Sequence, residues 1–540
     1  MSTTTKTPAA VAFVGSGPGD PGLLTVRAAN LLRRADVVVL DRVARADFVA
    51  RFAREDAEIV DAGHGDTGVP LTTASRAKLV VRTAKAAGKL GKDALVVRLM
   101  DGDPATFNGL AEEATALHKA GIPFEIVPGV SAATAVPAYA GIPLTHNGSR
   151  GVHVLSASDS KVDYARSAAA DTTVVLFATA ETLGDALVRL RDAGRDGETA
   201  VSVTTDGTTI HQKTHTFTLD ETEKALAGSG VTGAVVAVVG APVSYRESLS
   251  WWENKPLFGW NVLVPRTKDQ AGSMTDRLGD FGASSDIVPT ISVEPPRTPQ
   301  QMERAIKGLV TGRYEWIGFT SQNAVKAVRE KFEEFGLDAR AFAGLKIAAV
   351  GGVTADALRE WGLEPDLVPS GEQSAKGLLE EWPEFDEQLD PINRVFLPRA
   401  DIATDTLVAG LQEIGWEVDD VTAYRTVRAA PPAPEVREAI KSGKFDAVCF
   451  TSSSTVRNLV GIAGKPHATT IVACIGPATA KTAEEHGLRV DVMSTEPSAE
   501  ALVDALADFG RSLALSAAEA GEAVRRPSER RTTGRRKAKA

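Results

Sequence analysis

An α/β protein built as two successive units is what this sequence predicts, and three observations carry the prediction. Short runs of branched apolar residues recur along the chain, alternating with stretches whose apolar positions keep helical spacing. Turn clusters rich in glycine and proline follow several of those runs directly. The pattern breaks at Ser248–Gly259 (SLSWWENKPLFG) and then restarts. At 540 residues the chain exceeds what one hydrophobic core can hold.

The first run, Val11-Ala12-Phe13-Val14, enters Gly15-Ser16-Gly17-Pro18-Gly19-Asp20-Pro21-Gly22, and an amphipathic stretch from Leu23 to Arg34 follows. Strand, glycine loop and helix is how α/β proteins bring backbone close to a small ligand. A dinucleotide fingerprint fails on spacing: its third glycine would fall where Asp20 stands, and an acid there repels a pyrophosphate. Pro18 also lacks the N–H that a phosphate cradle uses. The loop suits a ligand without phosphates. Asp41, after Val37–Leu40, does keep the place of a ribose-binding acid.

Further strands are read at Val37–Leu40, Leu95–Leu99, Phe124–Val127, Val152–Leu155, Val174–Phe177 and Val235–Val239. Three more turn clusters, Asp101–Phe107, Val127–Ala132 and Ala140–Thr145, each lie just past an apolar strand or helix. Open α/β sheets place their ligands at such turns. Such clusters can be scaffold; with the first loop they describe one lined cleft.

Composition is that of an ordinary globular protein, 43% apolar and 24% charged. No run approaches the length of a membrane span, and the N-terminal apolar run reads as a strand, not a signal peptide. Cys449 and Cys474 sit in apolar strand-like runs and read as buried thiols, which fits a reducing cytoplasm. Net charge is −10, but residues 521–540 hold eight Arg/Lys against Glu522 and Glu529, leaving about −16 for the rest. An acidic body argues against a nucleic-acid enzyme, and 512–540 reads as a disordered basic tail.

VGSGPGDPGLLT, then ADVVVLDR, VRLMDGDP with Phe107 and Glu112-Glu113, VPGVSA, AGIPLT and TGAVVAVVGAPVSYRESLSWWE together resemble the tetrapyrrole (precorrin/corrin) methylases, above all the uroporphyrinogen-III C-methyltransferases. The resemblance covers about residues 8–253, and the domain it implies is set at 8–247, a two-subdomain α/β unit. It implies S-adenosylmethionine against Pro18, Gly102, Asp103, Ser131, Ala132, Ala178 (where the family usually has methionine) and Gly207, and it makes Asp41 a catalytic candidate. Methyl transfer from a sulfonium to an electron-rich pyrrole carbon needs alignment more than acid–base power, which backbone on glycine turns supplies. Asp103 has a second role open to it, capping the turn before Pro104. Two departures bear on substrate choice and activity: Asp101 replaces a family glycine, and the family's arginine is absent, with Leu110 in the stretch that replaces it.

After the linker at 248–259 come strand runs at Val262–Val264, Trp316–Phe319, Ile347–Val350, Arg394–Leu397, Ala447–Phe450 and Ile471–Ile475. Gly318-Phe319-Thr320-Ser321 is echoed by Cys449-Phe450-Thr451-Ser452, and Val350-Gly351-Gly352 by Ile475-Gly476-Pro477. Two lobes built alike, with hydroxyls and N–H donors at helix starts, follow from the echo. That describes either a two-lobed binding module or an enzyme closing on an anion. PLFGWNVLVPR, YEWIGFTSQNAV, FLPRA, VTAYRT, FDAVCFTSSSTV and CIGPATAKTAEEHGL resemble uroporphyrinogen-III synthase. The implied domain is 260–511, with one lobe at 260–294 plus 430–511 and the other at 295–429. Tyr424 matches the family's tyrosine and is read as a cleft-facing group assisting hydroxyl loss, with a buried ring whose hydroxyl is satisfied as the alternative. Arg266, Thr320, Ser321, Arg399, Thr451 and Ser452 are candidates to hold substrate carboxylates.

The two resemblances imply consecutive reactions: hydroxymethylbilane closed to uroporphyrinogen III, then methylated to precorrin-2. They imply S-adenosylmethionine as methyl donor, no metal, tetrapyrrole partners, no membrane or nucleic acid, and allow a homodimer through the methylase-like half. The rival readings are a synthase with a degenerate methylase half, a tetrapyrrole-sensing regulator without catalysis, and a nicotinamide enzyme, which Pro18 and Asp20 disfavour.

Overall fold

The computed structural model describes residues 8–41, 49, 51–64, 69–91 and 93–530. Its contacts divide the chain into two units. One takes the chain up to Trp260 together with Leu278–Ser284 and Gly510–Val524; the other takes Asn261–Arg277, Ser285–Phe509 and Arg525 onward.

The first unit opens with β1 (Ala10–Gly15), β2 (Val37–Leu40), β3 (Glu58–Asp61), β4 (Leu95–Met100) and β5 (Phe124–Val127), a parallel sheet in the order β3-β2-β4-β1-β5. Helices cover both faces, which is why its central strands, Arg98 in β4 apart, are apolar runs and not alternating. Val11, Phe13, Val37, Val39 and Val96 pack towards the helix Thr73–Ala87, while Ala12, Val14, Val38, Val97 and Leu99 pack towards the helix Val26–Leu32. Thr25 caps that last helix, its Oγ1 accepting from Ala28 N at 3.2 Å. A second sheet holds β6 (Gly151–Ser156), β7 (Thr172–Thr179), β8 (Ala200–Thr205), β9 (Lys213–Thr218) and β10 (Ala234–Val239) in the order β6-β7-β10-β8-β9. Only β6 and β7 run parallel.

Among the described residues the second unit has ten strands: β11 (Asn261–Val264), β12 (Ser284–Ile287), β13 (Ile291–Glu294), β14 (Trp316–Phe319), β15 (Lys346–Ala349), β16 (Arg394–Ala400), β17 (Glu417–Arg428), β18 (Ala447–Phe450), β19 (Ile471–Cys474) and β20 (Val492–Met493). They form the sheets β12-β11-β18-β19-β20 and β13-β17-β16-β14-β15. The sequence echo is a structural one. Ser321 and Ser452 each cap the helix that leaves a sheet, with φ −167° at both. Gly351 and Gly476 each start the next helix.

Three boundaries differ from the sequence reading. Residues 291–294 are not in the first lobe: β13 pairs antiparallel with β17, Ile291 opposite Arg428, so the crossover falls before Ile291. The segment 248–259 is packed, not a free linker. Trp252 and Leu257 are buried, and Leu257 N donates to Phe281 O at 3.0 Å. The stretch 512–530 is ordered in place, not a disordered tail. The helix Ala499–Glu519 runs into it as far as Glu519 on alanine and leucine, Pro527 is buried, and Ser528 N donates to Asp446 Oδ1 at 2.9 Å. Residues 531–540 lie outside the described residues.

Candidate functional site

At the C-terminal edge of the first sheet three turns meet backbone against backbone. A Cβ on Gly15 would lie 2.5 Å from both Gly102 O and Gly129 Cα, and one on Gly129 would lie 2.2 Å from Gly102 O. Only glycine permits that approach. Gly17 and Gly102, both left-handed, exchange N–H···O bonds of 3.2 and 2.9 Å. Ser131 caps the helix Ala132–Tyr139 through Ala133 N, and Ala132 N lies 3.6 Å from where a Cβ on Gly102 would stand. Pro18, Gly102, Ser131 and Ala132 therefore belong to one cluster of turns.

Asp103 spends both carboxylate oxygens inside that cluster. Oδ1 accepts from Gly129 N at 3.1 Å, and Oδ2 from Ala105 N and the Thr106 hydroxyl at 3.1 and 3.0 Å. Its role here is to join the second turn to the third.

The facing wall comes from the second sheet. Among the described residues only Phe107, Asp206 and Thr208 are non-glycine residues with positive φ, at 58°, 46° and 66°. All three fall on the turns that border this cleft, where strain is expected to gather. Thr208 Oγ1 accepts from Asp20 N at 3.0 Å, and Phe107 meets Phe177 edge-on at 5.7 Å. Gly207 is glycine for packing: its Cβ would stand 2.5 Å from Val136. Ala178 is 7% exposed and packs with Leu176 and Leu183 in the core.

Asp41 follows β2 at the same sheet edge, and its Oδ1 accepts from Arg98 Nη2 at 2.8 Å. Burial works against the Arg98 charge, but hydrogen bonding to Glu113 and attraction to Asp41 and Glu113 outweigh it and hold the guanidinium above its ordinary range. Sequence reasoning met Arg98 and Glu113 only inside the family motifs, without a role for either, and passed over Tyr139. The available signal was a lone arginine inside Val96-Val97-Arg98-Leu99-Met100.

In the second unit, Tyr424 lies on β17 and its hydroxyl stands 2.9 Å from Ser321 Oγ. The ring is 7% exposed, against the cleft-facing ring expected, because β17 runs between β13 and β16 and turns this face into the core with Val325 and Val328. Thr320–Ser321 and Thr451–Ser452 take equivalent places after β14 and β18, all four partly exposed. Arg399 does not serve as a free anion anchor. It is buried on two carboxylates, Asp420 and Asp405, and donates to Thr404 O at 2.5 Å. Arg266 follows β11 partly buried, and its guanidinium makes no hydrogen bond among the described residues. Burial lowers its pKa, opposed by Glu500. Among the described residues no cluster of His, Cys, Asp and Glu has the makings of a metal site, and no helix is long and apolar enough to cross a membrane.

Comparison with known proteins bears on both halves. The family described as Tetrapyrrole (Corrin/Porphyrin) Methylases matches residues 10–223, and that described as Uroporphyrinogen-III synthase HemD matches residues 272–504. A relative from Ruminiclostridium josui, named Porphyrin biosynthesis protein HemD, is 30% identical over 510 residues, which is 93% of this chain and 98% of that protein. A Uroporphyrinogen-III C-methyltransferase of Bacillus subtilis (strain 168) is 32% identical over 251 residues, 45% of this chain and 95% of that one. The solved native form of uroporphyrin III C-methyl transferase from Thermus thermophilus is 29% identical, with a TM-score of 0.37, over 44% of this chain and 99% of that chain.

Proposed function

Because the chain belongs to the family that joins a tetrapyrrole methylase to a HemD-type uroporphyrinogen-III synthase, we propose that it makes uroporphyrinogen III from hydroxymethylbilane and methylates it twice to precorrin-2. The observation that most supports the methylase half is the meeting of Gly15, Gly102 and Gly129, whose backbones approach too closely for any Cβ and so gather three turns at one edge of the sheet. S-adenosylmethionine, when bound there, supplies an electrophilic methyl group. Backbone at Pro18, Gly102, Ser131, Ala132, Ala178 and Gly207 holds and aligns it, while Asp103 keeps two of the turns together. Asp41 accepts the proton that the methylated pyrrole gives up.

In the synthase half, Thr320, Ser321, Thr451, Ser452 and Arg266 hold the carboxylates of the linear tetrapyrrole. The Tyr424–Ser321 pair delivers a proton to the departing hydroxyl of the first ring. The azafulvene cation so formed closes through a spiro intermediate, inverting the last ring. The chain's acidic side chains outnumber its basic ones, 70 to 60, so anchoring of a polycarboxylate rests on local hydroxyls, N–H groups and Arg266.

The test is incubation of the full chain with hydroxymethylbilane, with and without S-adenosylmethionine, and identification of products by mass and isomer. Uroporphyrinogen III without the donor and a doubly methylated product with it are expected. Uroporphyrinogen III in both arms would leave a synthase with a degenerate methylase half; uroporphyrinogen I alone in both would remove both activities.

A further inference from the structure

Arg98 stands inside β4 with no accessible surface, on a strand whose other side chains are all apolar. A charge survives there only when it is paired and hydrogen-bonded. Nε and Nη2 fork onto Glu113 at 2.8 and 3.1 Å, Nη2 also reaches Asp41 Oδ1 at 2.8 Å, and Nη1 donates to Leu99 O at 3.1 Å. Glu113 is equally buried, and Arg76 Nε lies 3.3 Å from its Oε1. Four charges thus alternate in sign from Arg76 to Asp41.

The row ends at the ligand-binding edge of the sheet. Leu40 pairs with Leu99 across β2 and β4, so Asp41 follows one strand beside the turn Asp101–Gly102 that follows the other. The Asp41 side chain is 22% exposed, and its Oδ2 makes no hydrogen bond among the described residues. A packing role alone does not account for the row, because apolar residues at 98 and 113 fill such a space at least as stably as an ion pair.

We propose that Arg98, braced by Glu113, is a positioning residue for methyl transfer that fixes Asp41 by Oδ1 and so leaves Oδ2 to receive the substrate's proton. The inference rests on the reading of Asp41 as proton acceptor. In that step a pyrrole carbon forms a bond to the methyl carbon with its π electrons, and the C–S pair stays on sulfur. The positive charge passed to the pyrrole is discharged when its N–H proton moves to Asp41 Oδ2 and the N–H pair returns to the ring.

The test uses the full chain with Arg98→Met/Glu113→Leu, which removes one buried charge of each sign together. Affinity for S-adenosylhomocysteine is measured by calorimetry and methyl transfer to uroporphyrinogen III by single-turnover kinetics. Binding is expected to stay within about twofold, while the transfer rate falls about 100-fold, the loss typical of a reacting group misplaced by an ångström. Placed on an Asp41→Asn background, the pair should add no further loss. An unchanged rate, equal losses in binding and rate, or losses that add on Asp41→Asn would each overturn the proposal. Should the double variant fail to fold, Arg98→Lys carries the same test, since one ammonium cannot fork onto Glu113 and hold Asp41 at once. If Asp41→Asn alone transfers at the full rate, the reading of Asp41 fails first; a rate lost with Asp41→Asn and kept in the pair variant rejects Arg98 alone.

Discussion

Tyr139 donates a 2.6 Å hydrogen bond to Asp20 Oδ2, joining the end of one helix to the first glycine loop. Its ring packs against Trp251 and Trp252 at 5.1 and 4.9 Å, so the segment expected to be a linker buttresses the loop. Burial, and then the Asp20 carboxylate, hold the phenol well above its ordinary range. Asp20 uses its other oxygen on Gly22 N at 2.7 Å and its own N–H on Thr208. One residue thereby ties the loop to both sheets of its unit.

Tyr139→Phe keeps the ring contacts and removes only that bond. Stability measured by urea unfolding should fall by about 1.5–3 kcal/mol, the net worth of one bond to a charged acceptor, and calorimetry should find S-adenosylhomocysteine bound more weakly. Undiminished affinity would detach the loop's placement from Tyr139.

Asp103→Ala leaves Gly129 N, Ala105 N and the Thr106 hydroxyl without their acceptor. Stability measured by urea unfolding should fall by about 1–3 kcal/mol, and ligand affinity should fall with it. Lost affinity at full stability would mean instead that Asp103 touches the ligand.

Cys449 and Cys474 are fully buried on neighbouring strands, and burial pushes both thiols up to about 12. Neither should react with a thiol reagent at pH 8 until the protein unfolds. The sign for stability follows. Unfolded thiols ionise near pH 8.5 and folded ones do not. Their contribution is therefore complete below about pH 8.5 and is lost as pH rises towards 12. Cys449→Ala/Cys474→Ala should flatten that alkaline limb of the unfolding profile.

Branched apolar runs marked β1, β2, β4, β14, β18 and β19 in the sequence because each is buried on both faces. β3, β9 and β17 escaped notice for the opposite reason. Lys213-Thr214-His215-Thr216-Phe217-Thr218 pairs along one side only, and β17 carries Glu417, Asp419, Asp420 and Arg425 in ion pairs along its length. The glycine turns were legible because close backbone approach demands glycine at Gly15, Gly102 and Gly129. What no local pattern discloses is which charges meet across the fold: Arg98 with Asp41 spans 57 residues, and Arg399 is taken up by Asp420 instead of a substrate.

Limited proteolysis should spare 248–259, contrary to what its loop-like composition suggests. Leu257 is fully buried, Gly510 approaches so closely that a Cβ would lie 2.5 Å from Pro256 O, and Lys255 covers the Trp252 ring at 4.2 Å. A fragment ending at Glu253 should lose solubility, since it strips Leu257 and Phe258 from beside Trp252. Ready cleavage within 248–259 would return the segment to a free linker.

Tyr424→Phe tests the synthase half. The ring is buried among Val421, Ala423 and Val325, so phenylalanine keeps the packing and the fold. What it loses is the 2.9 Å contact with Ser321, whose Oγ also accepts from Ala324 N at 3.2 Å at the helix start. Ser321 therefore keeps its capping role and loses only the phenol. Substrate affinity should hold, and turnover should fall by about 100-fold, the lower end for one acid–base group, because the hydroxyl leaves readily in water as well. Intermediate released before ring inversion closes in solution, so residual product should shift towards uroporphyrinogen I. Ser321→Ala should lower turnover similarly and also destabilise the helix by about 1 kcal/mol through the lost cap. Wild-type turnover and isomer ratio in a folded Tyr424→Phe protein would remove Tyr424 from the mechanism and leave its hydroxyl a packing contact of Ser321.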